Sequence, residues 1–201
     1  MDHKHVISVN SNTALLLIDI QKGLDDWVFY GGNRNNLDAE KNAAEILAKF
    51  RELNLPVFHI RHSSTNPKSP LHASKPGFQI KDEVKPLDSE PLFTKTVNSA
   101  FIGTELEDIL RHNGIERLVV VGLTTNHCIS TSVRMAANLG FEVTLISDAT
   151  ATFDRKGLNG EVFPSSLVHE TALASLHEEF AIVLDTEFLL NELGKLSRYM
   201  Q

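Results

Sequence analysis

Four short apolar runs constrain this chain more than any other feature. They are Ala14-Leu15-Leu16-Leu17-Ile18, Val57-Phe58-His59-Ile60, Leu118-Val119-Val120-Val121 and Phe180-Ala181-Ile182-Val183-Leu184, with Val143-Thr144-Leu145-Ile146 as a weaker fifth. A strand with one wet face alternates polar and apolar residues, whereas a strand covered on both faces is apolar throughout. The runs therefore predict a parallel sheet between two layers of helices. The segments between them carry those helices. Ala43, Ile46, Leu47, Phe50 and Leu53 fall at helical spacing before the second run, and Leu106, Ile109 and Leu110 before the third, closing at Asn113-Gly114. Ile129, Val133, Ala136 and Ala137 repeat the pattern up to Gly140, and Ser165 to Glu178 carries another before the last run. The expected fold is α/β and doubly wound, a mainly parallel sheet in a three-layer α/β/α arrangement.

With 201 residues, one domain over 1–201 is the expectation. A chain of that length buries most of its surface without a disulfide or structural metal, and its single cysteine agrees. Five of the seven prolines (Pro67, Pro70, Pro76, Pro86 and Pro91) fall between the second run and Lys95, so regular structure is not expected there. A loop of that length in a compact domain usually forms a wall or lid of a site.

The formal charge is −7 and no basic run is present, which argues against a nucleic-acid or anionic-membrane partner. The run from Ala14 to Ile18 is far short of a membrane span, and Met1-Asp2-His3-Lys4-His5 opens no secretory signal. A cytoplasmic protein acting on a small molecule is expected. No G-x-G-x-x-G, Walker loop or H-E-x-x-H occurs, against dinucleotide, nucleotide and zincin chemistry.

In an open parallel sheet, ligands sit beyond the carboxyl ends of the strands. Asp19 follows the first run directly, and a carboxylate in the register of a buried strand is costly unless paired or used. Gln21 points to the same side if that strand continues. After the third run comes Gly122-Leu123-Thr124-Thr125-Asn126-His127-Cys128, which places Cys128 in the first turn of a helix. The helix terminus favours a thiolate by at most ~1–2 kcal/mol, and a nearby carboxylate opposes it, so the site needs a cation. Lys95 is the candidate. Taken singly, each of the three has an ordinary structural reading: a turn-capping Asp, a solvated Lys and a small core Cys. His127 and Cys128 diverge on a helix, so His127 is assigned to the pocket rather than to a Cys–His dyad. His59 and His62 face opposite sides of their strand, and no sequence neighbour completes a metal set with them.

Together, Leu17-Ile18-Asp19-Ile20-Gln21, Lys95-Thr96-Val97-Asn98-Ser99-Ala100-Phe101 and Gly122 to Cys128 resemble the isochorismatase-like cysteine hydrolase superfamily, in order, spacing and strand context. The resemblance runs from the first strand to about Leu184. It implies a homo-oligomer, dimer or tetramer, with Cys128 as nucleophile, Asp19 as proton-transfer group and Lys95 as the cation beside both. It also implies a cis peptide between Leu123 and Thr124, so that the amides of Thr124 and Cys128 form an oxyanion hole. Nicotinamidases of the superfamily carry an Asp-x-His metal motif after the second strand, where this chain reads His59-Ile60-Arg61-His62-Ser63. No metal, no cofactor and no nicotinamide are therefore expected. Isochorismatases proper cleave a vinyl ether without needing the cysteine, so Cys128 favours hydrolysis of a C–N bond in an amide, ureido, carbamoyl or lactam compound. A vinyl-ether hydrolase and a non-catalytic binding protein on the same scaffold remain the alternatives. The expected pocket comprises Gln21, the aromatics Trp27 and Phe29, Arg61, His62, Phe101 and His127.

Overall fold

The structure, a computed structural model, describes residues 9–199; Met1 to His5, read above for a leader, lie outside the described residues. Six strands form one parallel sheet: β1 (Thr13–Ile18), β2 (Val57–His62), β3 (Leu92–Lys95), β4 (Arg117–Leu123), β5 (Glu142–Ala151) and β8 (Ile182–Leu184). Their spatial order is β3-β2-β1-β4-β5-β8. A two-stranded hairpin, β6 (Arg155–Lys156) with β7 (Val162–Phe163), leaves the carboxyl end of β5. The helices are α1 (Trp27–Tyr30), α2 (Ala39–Glu52), α3 (Leu106–His112), α4 (Ser130–Asn138), α5 (Ser165–Ala174) and α6 (Thr186–Tyr199). Among the described residues no helix is long and apolar enough to cross a membrane.

The continuous hydrophobicity of β1 has the cause expected of it. Leu15 and Leu17 pack with Ala43, Ile46 and Phe50 of α2 and Leu189 and Leu193 of α6. Ala14, Leu16 and Ile18 face the other way, onto Leu106 and Leu110 of α3 and Val133 and Ala136 of α4. Each fully buried Leu or Ile contributes about 1.5–3 kcal/mol against exposure, so both faces of this strand drive folding.

The Pro-rich segment departs from expectation. It holds two 3-10 turns, Pro76–Phe78 and Asp82–Val84, and ends in β3, a strand of the main sheet. That strand is short, half exposed and at the sheet's edge, and so lacks the apolar signature of its neighbours. Pro91 stands just before it, where its carbonyl accepts the His59 amide at 2.9 Å and its missing N–H costs nothing. The last run also begins later than its composition implies, at Ile182 rather than Phe180.

The chain runs from β1 outward to β2 and β3, then returns to β4 on the other side of β1. The strand order thus reverses between β1 and β4, which opens a crevice at their carboxyl ends. Gly122 makes the close approach there feasible. It pairs with Ile18, has φ of 128°, and a Cβ on it would lie 1.9 Å from the Ile18 carbonyl oxygen.

Candidate active site

Three strand ends deliver the central side chains. β1 stops at Ile18, and Asp19 turns out of the strand at φ 55° while its amide still donates to the Ile60 carbonyl at 2.8 Å. Lys95 is the last residue of β3, in register with His62 of β2. Cys128 follows β4 in a π-helical turn, Thr125–Ile129, whose opening carbonyl, on Thr124, accepts the amides of His127 and Ile129. α4 itself begins only at Ser130, so Cys128 lies in this wider turn and not in the first turn of an α-helix. The Leu123–Thr124 peptide is cis.

These ends bring Asp19, Lys95 and Cys128 into contact. Lys95 Nζ lies 2.6 Å from Asp19 Oδ2 and 3.2 Å from Cys128 Sγ, with the lysine side chain fully buried. Asp19 is itself 2% exposed, and its Oδ1 makes no hydrogen bond among the described residues. Burial pushes the Cys128 thiol pKa far up, and the Asp19 charge adds to that; Lys95 opposes both and does not balance them. A helix terminus favours the thiolate, but in the fold desolvation dominates and the resting group is a thiol. Its Sγ lies 3.7 Å from Asn98 Oδ1.

His62 has more company than its sequence neighbours gave it. Asp19, His62 and Cys128 each bring one donor atom within 4.8 Å of the others, the spacing of a three-ligand metal set. Lys95 Nζ touches all three residues, His62 Nδ1 at 3.5 Å being the longest contact. The ammonium is therefore the cation these donors already surround. Burial and the Lys95 charge lower the His62 pKa, which keeps the ring neutral.

Of the expected site residues, Asp19, Cys128, Thr124, His62 and His127 line a cleft of about 170 Å³, while Lys95 is fully buried behind Asp19. That is the volume of roughly six water molecules, suited to a small compound. Gln21 is not in the lining. The strand turns at Asp19, and the Gln21 amide is consumed by the backbone, donating to the His62 and Phe78 carbonyls and accepting the His62 N–H at 2.8 Å. It clamps the end of β2 to the Pro-rich segment. Arg61 likewise faces away, over the Phe78 ring and bonded to Thr94 Oγ1. Phe101 is buried in the core against Phe141, and Trp27 and Phe29 of α1 are exposed at the surface. Of the α1 aromatics it is Tyr30 that reaches the cleft, stacked on Phe153. Asn98, Phe153 and Arg155 complete features that the sequence reading missed. Asn98 lay within the Lys95 motif and was the one of these with a local signal.

The isochorismatase domain matches residues 13–188, which include every residue of this arrangement. The chain belongs to the isochorismatase family. Among relatives of this family member, YrdC of Bacillus subtilis is 47% identical over 90% of the chain and 96% of its own length. Nicotinamidase 3 of Arabidopsis thaliana is 30% identical over 90% of the chain and 88% of its own. The crystal structure of an isochorismatase-family protein from Chromobacterium violaceum superposes with a TM-score of 0.89 at 40% identity, covering 94% of this chain and 97% of that one. The chain is thus an isochorismatase-family hydrolase, and some members of the family act on amide C–N bonds.

Proposed function

We propose that this isochorismatase-family protein is a metal-independent cysteine hydrolase that cleaves the C–N bond of a small amide, ureido, carbamoyl or lactam compound. The observation that carries the reading is the contact of Asp19, Lys95 and Cys128 at the strand-order reversal, with Asp19 Oδ1 unoccupied beside a protonated thiol. Asp19 takes the thiol proton as Sγ attacks the carbonyl carbon, so the thiolate forms during attack rather than before it. The amides of Thr124 and Cys128 receive the developing oxyanion; one such donor is worth about 2.7–4 kcal/mol in the transition state. Asp19 then returns the proton to the departing nitrogen, leaving a thioester on Cys128 that water hydrolyses. Lys95 holds the Asp19 carboxylate throughout.

His59-Ile60-Arg61-His62 at the end of β2, and the ammonium among the Asp19, His62 and Cys128 donors, support catalysis without a metal and a substrate other than nicotinamide. Exposed Leu158, Val162, Phe163 and Leu167 on the β6–β7 hairpin and α5 support self-association, read by light scattering.

The deciding experiment incubates the protein with a panel of small amides and follows ammonia release together with intact mass. Acyl adducts on the wild type and no release from folded Cys128→Ala are the expected results. Undiminished release from Cys128→Ala overturns the reading.

A further inference from the structure

The cleft contains one charge that no acidic group among the described residues answers. Its titratable lining consists of Asp19, Tyr30, His62, His127, Cys128 and Arg155. Asp19 is neutralised by Lys95 behind it. Burial keeps the Tyr30 hydroxyl protonated, pushed up to about 12, and keeps the Cys128 thiol protonated as well. Both histidines are shifted toward the neutral ring, His62 by burial and Lys95, His127 by burial and the nearby Arg155. At neutral pH only the guanidinium of Arg155 remains.

Arg155 opens β6, four residues beyond the β5 carboxyl end. Its side chain has no hydrogen bond or ion pair among the described residues. The acid beside it does not compensate: Asp154 Oδ1 accepts the Ser165 amide at 2.7 Å and Oδ2 the Asn33 side chain at 2.9 Å. Arg155 is exposed at the cleft, whereas the more buried cations Arg34, Arg51 and Lys81 are paired, with Glu40, with Glu90 and with Asp25 and Glu40 respectively. An unpaired cation facing a small cleft, in a chain of net charge −7, is a binding group for an anion.

Resting on the hydrolase reading above, we propose that Arg155 is the specificity-determining residue of this cleft and that the compound cleaved carries a carboxylate besides its scissile carbonyl–nitrogen bond. The guanidinium receives the carboxylate at the cleft mouth, and the carbonyl is thereby set toward Cys128. Neutral His127 and Tyr30 add no rival charge, and a second carboxylate on the compound would find no second free cation among the lining residues.

Because Cys128 is the chain's single thiol, a pair of near-isosteric alkylating agents reads the field at Sγ without knowledge of the substrate. Iodoacetate is anionic and iodoacetamide neutral; both form the same S–C bond, expel iodide and release the thiol proton to solvent. The rate ratio, iodoacetate over iodoacetamide, is measured by intact mass in the wild type, Arg155→Gln and Arg155→Lys, with each protein's iodoacetamide rate as its own reference. The ratio is expected to fall about fivefold or more in Arg155→Gln and to be largely kept in Arg155→Lys. Added KCl lowers it in the wild type and leaves Arg155→Gln nearly flat. An equal ratio in wild type and Arg155→Gln overturns the proposal. That result leaves the hydrolase reading standing, since ammonia release and its loss in Cys128→Ala are measured separately.

Discussion

Lys95 Nζ sits 2.6 Å from Asp19 Oδ2, while Oδ1 of the same carboxylate is held by no hydrogen bond among the described residues. The pairing explains how a carboxylate and an ammonium tolerate nearly complete burial at the end of β1. It also divides the carboxylate into a held oxygen and a free one, the geometry a proton acceptor needs beside a protonated thiol.

Removing one partner of that pair separates folding from chemistry. Lys95→Met leaves Asp19 buried and uncompensated, and is expected to lower urea stability by about 3–5 kcal/mol. Asp19→Asn preserves the side chain's shape and removes the proposed proton acceptor, so turnover is expected to fall by about 10²–10⁴-fold. The double variant regains much of the stability and none of the turnover. A Lys95→Met protein as stable as the wild type would contradict the buried ion pair.

The thiol gives a pH signature. Burial and the Asp19 charge raise its pKa, so alkylation by iodoacetamide is expected to stay slow at neutral pH and to reach half-maximum above the ~8.5 of a free cysteine. Asp19→Asn removes the opposing charge and shifts the midpoint down. The folded state holds this proton more tightly than the unfolded chain, so stability declines as pH rises beyond ~8.5. A midpoint below that of free cysteine in the wild type refutes the protonated resting state.

What the sequence made legible follows from how each residue is held. β1, β2 and β4 are covered on both faces, and their apolar runs announced them; β3 is a half-exposed edge strand behind a proline, and nothing in Leu92-Phe93-Thr94-Lys95 marks it. Asp19, Lys95 and Cys128 were legible as a combination with fixed order and spacing. Gln21 was misplaced because strand alternation cannot foresee the left-handed turn at Asp19. Phe153 and Arg155 reach the cleft only because β5 extends to Ala151 and the chain then pairs with the segment 33–35 that follows α1, a long-range event without a local sequence mark.

Gly122 is the narrowest constraint on the crevice. At φ 128°, with the position of a Cβ already filled by the Ile18 carbonyl, no side chain fits without separating β1 from β4. Gly122→Ala is expected to cost at least about 3 kcal/mol, from strain and overpacking together. Since the displaced backbone carries Asp19 on one side and Thr124 on the other, turnover of any folded fraction should fall too. A variant with the wild-type urea midpoint would show that the two strands are less close than this.

His169 supplies the acid limb of stability. Its Nδ1 lies 2.8 Å from Thr125 Oγ1, in the turn that carries Cys128, and burial lowers its pKa to about 4. The unfolded chain takes up this proton near 6.5, whereas the folded one resists it until about 4. The contribution is therefore complete above about 6.5 and is lost as pH falls from there through about 4, by up to roughly 3 kcal/mol. His59, His62 and His127 are shifted the same way and deepen the slope. His169→Gln keeps a polar partner for Thr125 and cannot titrate, so the drop in urea midpoint between pH 7 and pH 5 should shrink in that variant. An undiminished drop would mean that His169 is protonated as easily in the folded protein as in the unfolded chain.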